Sequence, residues 1–286
     1  MNPAYPPLVN FMIVGAAKSG TTSLARLLAL HPSICISDPK EIYYFNKTID
    51  WDNPEKLRNY HSHFHNTTNK IVGEASTLYS DFPRYLDTEQ RIFAYNPNMK
   101  IIFIMRNPVD RIYSHYKHLY AMSKLRLKVS EMETELLNDP LYVNRSKYYM
   151  QISPYIKLFG KQSVHLCFFE DYKENPAGVL DDILEFLGAE KGFFHRGDFN
   201  FHHNPSEKLR ILTPFGQTIA SLPIIKFLPR GFKWKFRRPF ERKMIKFPEM
   251  SDQIKEHLLR ALETDLGYLS TITHKDIYKM WKIGKI

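Results

Sequence analysis

Short, continuous apolar runs alternate with longer amphipathic segments along most of the chain. Such runs, without the polar alternation of a half-exposed strand, are typical of strands buried on both faces of a parallel sheet. The runs are Phe11 to Gly15, Ile34 to Ser37, Ile71 to Glu74, Ile101 to Arg106 and Val164 to Glu170. We therefore predict five buried strands.

The segments between these runs have helical periodicity, and proline or glycine marks several of their ends. Helices are predicted over Thr21 to Leu30, Pro83 to Tyr95, Val109 to Tyr120, Ser146 to Phe159, Pro176 to Leu187 and Ser251 to Leu266, the last ending before Gly267. Strands separated by helices form right-handed βαβ units. The sequence thus predicts a P-loop-like, doubly wound α/β fold with a central parallel sheet.

The length of 286 residues is suited to one large α/β domain. We expect a single domain over residues 1–286, with a core at about 10–215 and a basic, helical extension at 216–286. No apolar run is long enough to span a membrane, and no secretory signal is visible, so the cytoplasm is the expected compartment. Cys35 and Cys167 lie in apolar runs and are expected to be reduced thiols.

The net charge of +10 and the pI near 9.3 indicate an anionic partner. The segment from Lys226 to Lys246 contains nine lysines and arginines but a single acidic residue, Glu241. Phenylalanine and tryptophan alternate with these cations, as in segments that lie at a membrane surface. We favour the interpretation that residues 226–246 form basic loops and short helices that cover the acceptor cleft, and we leave peripheral membrane contact open as the alternative.

The most informative segment runs from Phe11 to Leu24, where an apolar strand leads into a small-residue loop and a hydroxyl-rich helix start. Gly15 and Gly20 permit a tight turn, backbone N–H groups converge on one point, and Lys18 adds a positive charge. This pattern predicts a phosphate-binding loop. In a Walker A loop the lysine directly follows the second glycine, whereas here Thr21 has that place.

A second basic site is predicted at the end of the strand Ile101 to Arg106. Arg106 leaves this strand, and Ser114 follows eight residues later on the next helix. The carboxyl ends of parallel strands share one edge of the sheet, so Arg106 and Lys18 are expected at the same edge. A guanidinium group is well suited to bidentate binding of a phosphate monoester.

In these two segments the chain resembles the sulfotransferases that use 3'-phosphoadenosine 5'-phosphosulfate (PAPS). The resemblance is closest to the carbohydrate branch that includes heparan sulfate sulfotransferases and bacterial relatives. Gly15 to Thr22 is similar to the loop that holds the 5'-phosphosulfate, and Arg106 to Tyr116 is similar to the segment that binds the 3'-phosphate. Lys40 to Asn46 resembles the segment that carries the family's glutamate base. The three motifs lie in the family's order over about a hundred residues.

The resemblance implies a function and a set of site residues. It implies transfer of a sulfuryl group from PAPS to a hydroxyl, with a sugar or glycoconjugate as the expected acceptor and no metal ion. Glu41 would be the catalytic base and Lys18 the group that stabilises the leaving oxygen. The residues expected to bind the cofactor are Lys18, Ser19, Gly20, Thr21, Thr22, Ser23, Arg106, Ser114, Tyr148, Lys208 and Arg210. The residues expected to contact the acceptor are Glu74, Lys40 and Tyr44.

Parts of the resemblance are looser. Ala75 and Thr77 stand where many relatives have lysine and proline, which removes one expected basic contact from the acceptor cleft. Lys208 and Arg210 lie in the region of the family's cofactor-closing loop, although the match there is poor. Glu74 could hydrogen-bond to Lys18 or to the acceptor hydroxyl, or form an ion pair at a strand end.

Two other function classes remain open at this stage. A P-loop kinase of a small metabolite would share the sheet and the loop, but it is disfavoured by Thr21 in the Walker lysine position. No aspartate suited to holding Mg²⁺ follows an apolar strand convincingly. A basic protein that binds polyanions or membrane surfaces is the third class, and it depends on residues 226–246. No nucleic acid partner is expected.

Overall fold

The computed structural model describes residues 7–46, 50–68, 70–121, 129–195, 199, 210–212, 239, 241–243 and 247–284. Its central sheet has five parallel strands in the order β2-β3-β1-β4-β5. The strands are β1 (Phe11–Gly15), β2 (Ile34–Ile36), β3 (Ile71–Ala75), β4 (Lys100–Met105) and β5 (Val164–Phe168). Two short strands, β6 (Arg210–Leu212) and β7 (Glu241–Lys243), pair separately and antiparallel.

Helices connect the strands of the sheet and cover both of its faces. They are α1 (Thr21–Leu28), α2 (Pro54–His61), α3 (Thr88–Tyr95), α4 (Pro108–Ala121), α5 (Met132–Asn138), α6 (Pro140–Asn144), α7 (Tyr148–Phe159), α8 (Phe169–Glu174), α9 (Pro176–Leu187), α10 (Asp252–Thr273) and α11 (Ile277–Trp281). Short 3-10 turns at Tyr44–Asn46 and Thr77–Ser80 follow β2 and β3. None of the described helices is long and apolar enough to cross a membrane.

Alternate residues of the central strands supply two separate hydrophobic cores. On one face Ile13 of β1 and Ile104 of β4 pack with α1 and α9. On the other face Val14 and Phe103 pack with α3, α4, α7 and α10. Burial on both faces explains why these strands are apolar throughout, and the observed sheet confirms the predicted doubly wound α/β fold.

The strand order places a topological switch point between β1 and β4. From β1 the chain passes through α1 to β2 on one side of the sheet, whereas from β4 it passes through α4 to β5 on the other side. The loops after β1 and β4 therefore diverge and leave a crevice at the carboxyl edge, which is the usual ligand site in open α/β sheets. Lys18 and Arg106 both leave their strands at this edge.

Three predicted boundaries were wrong, and one of them is the start of α3, which lies at Thr88 rather than at Pro83. The run Val164 to Glu170 does not continue as a strand, because β5 ends at Phe168 and α8 begins at Phe169. The last long helix does not stop before Gly267 but continues to Thr273. Leu266 and Leu269 are buried on either side of that glycine, so tertiary packing outweighs the unfavourable helix propensity of one glycine.

Helix α10 packs against α7 and supplies a carboxylate that caps the first turn of α7. The buried carboxylate of Asp265 accepts hydrogen bonds from the backbone N–H groups of Tyr149 (3.0 Å) and Met150 (2.8 Å), in the first turn of α7. Tyr149 also stacks on Tyr268 of α10, with ring centroids 5.0 Å apart. A carboxylate at this end of a helix is favoured by the helix dipole. Burial nevertheless raises the pKa of Asp265 to about 6.

Candidate active site

The loop after β1 has the geometry of an anion-binding loop. Lys18 and Gly20 have positive φ angles of 73° and 94°, and a side chain at Gly20 would meet the ring of Phe169 at 2.8 Å. A side chain at Gly15 would lie 2.1 Å from the hydroxyl oxygen of Ser80. Both glycines are therefore required by close packing, which explains the spacing seen in the sequence.

The amino end of α1 opens at this loop and is not capped by a side chain. Gly20 is the N-cap residue, so the N–H groups of the first turn receive no hydrogen bond from an N-cap side chain. Thr21 is buried, Thr22 is exposed, and the hydroxyl of Ser23 lies 3.2 Å from that of Tyr172. Uncapped N–H groups and the helix dipole together favour an anion at this point.

The cations around this helix end are close enough to repel one another. Burial, together with the charges of Arg106 and Arg111, lowers the pKa of Lys18 to about 8. Arg111 is completely buried, and burial lowers its pKa to about 10. Within the described residues, neither Lys18 nor Arg111 has a carboxylate at salt-bridge distance. The site therefore carries positive charge that a bound anion would neutralise.

Arg106 lies on the outer side of this cluster. Its guanidinium carbon is 5.2 Å from the centre of the Phe169 ring, and its Nη2 donates to Asp110 at 3.3 Å. Arg106 and Phe169 line a cavity of about 380 Å³, together with Asp110, Glu170, Lys173 and Glu174. Ser114 is half-buried on α4, two turns beyond Arg106. A phosphorylated ligand could extend from the α1 end into this cavity.

The loop after β2 brings a lysine and a carboxylate to the same helix end. The ammonium group of Lys40 lies 3.5 Å from Thr21 Oγ1 and 3.0 Å from Glu41 Oε1. Glu41 Oε1 also accepts from Thr77 at 3.3 Å, and the hydroxyl of Tyr43 donates to Glu41 Oε2. Lys40 thus links the α1 end to the carboxylate of Glu41.

The environment of Glu41 favours its ionised form. Burial by itself raises the pKa of this carboxyl, but the charge of Lys40 and the donors Tyr43 and Thr77 outweigh it, so the pKa lies below its usual value of 4.5. Burial lowers the pKa of Lys40, against the effect of Glu41. The carboxylate is therefore ready to accept a proton at neutral pH, without the raised pKa that a dry site would give it.

Glu74, at the end of β3, lies in a completely different environment. It is fully buried and accepts hydrogen bonds from the hydroxyls of Tyr60 (2.7 Å), Tyr79 (2.9 Å) and Ser76, and from the N–H of Ile42 (3.3 Å). Burial raises its pKa, against the effect of these donors. Among the described residues Glu74 forms no hydrogen bond or ion pair with Lys18, and it holds the backbone of the segment after Glu41 through the N–H of Ile42.

A third polar group joins α4 to the chain after β3. Arg145 forms a bidentate, buried ion pair with Asp81, with Nε 2.6 Å from Oδ1. Its Nη1 donates to His115 Nε2 at 2.9 Å. Burial and the neighbouring Arg111 and Arg145 charges lower the pKa of His115, which is therefore neutral. The sequence gives no local signal for this pair, because Asp81 lies 64 residues before Arg145.

The remaining predicted site residues fall into two groups. Tyr148 is fully buried and donates to the backbone carbonyl of Arg106 at 2.8 Å, so its hydroxyl fixes the Arg106 turn. Tyr44 is also buried, stacks on Tyr60 and donates to the carbonyl of Trp51. Lys208 lies outside the described residues, as does nearly all of segment 226–246, and Arg210 is described only by its backbone in β6.

Comparison with known proteins agrees with this geometry. The sulfotransferase domain family matches residues 9–207, which is most of the chain and includes the motifs at 15–22, 40–46 and 106–116. The chain belongs to the sulfotransferase family. A crystallised sulfotransferase from Alicyclobacillus acidocaldarius shares 26% sequence identity and has a TM-score of 0.66, over 98% of this chain and 99% of that one.

Curated relatives are similar over a shorter part of their sequences. The membrane-associated sulfotransferase kil1 of Dictyostelium discoideum is 38% identical over 117 residues, covering 38% of this chain and 22% of that protein. Human bifunctional heparan sulfate N-deacetylase/N-sulfotransferase 2 is 29% identical over 213 residues, covering 63% of this chain and 22% of that protein. This sulfotransferase chain thus spans about a fifth of the length of these relatives.

Proposed function

We propose that this chain transfers a sulfuryl group from PAPS to a hydroxyl group of a sugar or glycoconjugate. One observation carries the proposal. Lys40 lies between the uncapped end of α1 and the carboxylate of Glu41, at 3.5 Å from Thr21 and 3.0 Å from Glu41. A sulfuryl group held by the helix end would therefore lie close to a group that can accept the proton of an incoming alcohol.

The donor would be held by the N–H and hydroxyl groups of the α1 end and by the cationic side chains around it. The loop and first turn, from Lys18 through Ser19, Gly20, Thr21 and Thr22 to Ser23, would hold the 5'-phosphosulfate. Arg106 and Ser114 would hold the 3'-phosphate, with Tyr148 fixing the turn of Arg106 through its carbonyl. The mutually repelling Lys18, Arg106 and Arg111 fit a ligand with several negative charges. Lys208 and Arg210 are proposed as further contacts.

The proposed reaction is an in-line displacement at sulfur. Glu41 takes the proton of the acceptor hydroxyl as the oxygen of that hydroxyl bonds to sulfur, and the bond from sulfur to the 5'-phosphate oxygen breaks. Lys18 stabilises the negative charge that develops on this leaving oxygen, and adenosine 3',5'-bisphosphate (PAP) departs. General bases typically contribute about 100- to 10,000-fold, and one preorganised cationic donor about 100- to 1,000-fold.

A sugar acceptor is supported by the surface beside Glu41. Ile42 and Tyr44 line a cavity of about 310 Å³ with Trp51, Asn59 and His63. Aromatic walls combined with a few polar groups are typical of sites for ring-shaped polar ligands. The match to a heparan sulfate N-sulfotransferase supports the same class. Lys40 and Tyr44 would contact the bound acceptor, while Glu74 would hold the backbone of the segment after Glu41.

The experiment is an incubation with PAPS labelled in the sulfuryl group and a panel of sugars, oligosaccharides and non-sugar alcohols. We expect labelled sugar sulfate and one equivalent of PAP, with no transfer from labelled ATP. Transfer of phosphate from ATP in the presence of magnesium would favour the kinase alternative. Transfer only to non-sugar alcohols would retain the sulfotransferase and reject the acceptor class.

A further inference from the structure

The C-terminal helix α11 reaches back to the turn that carries Arg106. The indole N–H of Trp281 donates to Glu170 Oε2 at 3.0 Å, and Glu170 Oε1 accepts from the backbone N–H of Asn107 at 2.9 Å. The side-chain amide of Asn107 donates to the carbonyl of Trp281 at 3.1 Å. Trp281, Glu170 and Asn107 therefore form a closed ring of three hydrogen bonds, which we call the Trp281 ring.

Asn107 sets the direction in which Arg106 leaves β4. Its side-chain oxygen accepts from the N–H groups of Val109 (3.0 Å) and Asp110 (3.2 Å), which caps the first turn of α4. Arg106 is the residue before Asn107, and its own carbonyl is held by Tyr148. The peptide bond that follows the Arg106 Cα is thus held at its carbonyl by Tyr148 and at its N–H by Glu170.

Trp281 is well placed to make this ring rigid. It is 4% exposed and packs against Phe168 and Tyr148, with ring centroids 5.8 and 6.1 Å away. A buried indole has few rotamers open to it, so its N–H is held in place towards Glu170. It also lies beyond residues 9–207, the range of the family match.

We infer that Trp281 is a positioning residue for recognition of the donor's 3'-phosphate, acting through Glu170 and Asn107 on Arg106. This inference rests on the proposed function, since it assigns the 3'-phosphate to Arg106. A ligand without a 3'-phosphate makes no use of Arg106, so the Trp281 ring affects only ligands that carry one. The quantity to measure is therefore the ratio of the affinity for PAP to the affinity for adenosine 5'-phosphate. A general loss of stability would lower both affinities and leave their ratio unchanged.

The test is calorimetric titration of PAP and of adenosine 5'-phosphate into the full chain and its variants. Trp281→Phe keeps the aromatic packing and removes the N–H donor. We expect it to weaken PAP binding by about threefold to tenfold, the worth of one or two hydrogen bonds, and to leave adenosine 5'-phosphate binding unchanged. In an Arg106→Ala background the same substitution should have no further effect on PAP.

Asn107→Ser gives an independent version of the test. Serine caps a helix well, but it has no amide to donate to the Trp281 carbonyl, so PAP should again weaken selectively. Should Trp281→Phe fail to fold, this variant decides the question. Lys275→Ala is the matched control, because it breaks the 2.5 Å ion pair between the same C-terminal region and Asp171 but leaves the Trp281 ring intact.

The results separate failure of the inference from failure of the proposed function. If the wild-type chain binds PAP no better than adenosine 5'-phosphate, the assignment of Arg106 to the 3'-phosphate fails. If the wild type prefers PAP but the folded variants retain its affinity ratio, the role of Trp281 is rejected. An equal loss in Lys275→Ala also rejects it, because docking of the C-terminal region would then be sufficient.

Discussion

At the carboxyl ends of β1 and β4, Lys18 and Arg111 carry positive charge with no carboxylate at salt-bridge distance among the described residues. After β2 and β3, Glu41 and Glu74 are surrounded by donors that already satisfy them. We call residues 15–23 and 106–114 the donor side, and residues 40–46 and 74–81 the acceptor side.

The contrast teaches which half of the site depends on a ligand. On the donor side a polyanion would relieve the repulsion among Lys18, Arg106 and Arg111, so binding energy is available there. On the acceptor side Glu41 and Glu74 already accept hydrogen bonds from protein groups, which fixes the geometry of Glu41 before any acceptor arrives. We therefore expect the donor side to bind its ligand tightly and the acceptor side mainly to orient its ligand.

The strongest test of the acceptor side is Glu41→Gln. The amide keeps the shape of the side chain but cannot take a proton, so transfer should fall by about two to four orders of magnitude while PAP still binds. Initial rates with saturating PAPS and calorimetric binding of PAP measure the two effects. Because the pKa of Glu41 lies below 4.5, the wild-type rate should be lost only below that pH, and this acidic limb should vanish in the variant. Retained activity with an unchanged limb would make Glu41 a structural carboxylate.

Lys18→Ala tests the donor side. Removal of the ammonium from the leaving oxygen should lower turnover at least about 100-fold, while the fold survives because Lys18 is not part of the core. Lys117→Ala, a lysine further along α4, is a control for the loss of one charge in the region. A folded Lys18 variant with normal turnover would remove this residue from the mechanism.

A smaller effect is expected from pH on donor binding. The pKa of Lys18 is lowered to about 8 in the free protein, so the lysine is charged below that pH and neutral above it. PAP affinity should fall as the pH rises through about 8, by up to about tenfold per unit. Lys18→Arg stays charged and should flatten this dependence. Calorimetry from about pH 7 to about pH 9.5 decides it, and an equally steep fall in the arginine variant would assign the effect to another group.

Of these substitutions, Glu74→Gln should change the binding of PAP least, and its main effect should be on how the stability of the protein depends on pH. Burial raises the pKa of Glu74, so its contribution to stability is present below 4.5 and is lost as the pH rises through its pKa in the folded protein. The free energy of unfolding of the variant should therefore improve relative to the wild type as the pH is raised from 4.5. Denaturant unfolding at several pH values measures this. A changed PAP affinity would contradict the independence of the two sides.

The donor side was largely predictable from sequence because its determinants are local. An apolar strand followed by two glycines predicts the tight loop that the structure has after β1, and parallel strands bring Arg106 to the same edge as Lys18. The predicted strands and most helices follow from apolar runs that two-sided burial requires. The Arg106 turn itself, however, depends on Trp281, which is far away in the sequence and carries no local signal.

The acceptor side was harder to predict because its chemistry depends on tertiary contacts. The motif singled out Glu41, but whether the pKa of a carboxyl rises or falls depends on burial and partners that sequence does not give. Glu74 was expected at Lys18 or at the acceptor, whereas three hydroxyls from α2 and the turn after β3 enclose it. The helix α2, which supplies Tyr60, was not predicted at all.

The cap that Asp265 provides for α7 has a consequence for synthesis of the protein. A ribosome makes the chain from its amino end, so the sheet strands and α7 emerge long before residue 265. Until then the N–H groups of Tyr149 and Met150 lack their carboxylate and the face of α7 that later meets α10 is bare. During synthesis this face of α7 therefore stays uncovered until α10 has been made.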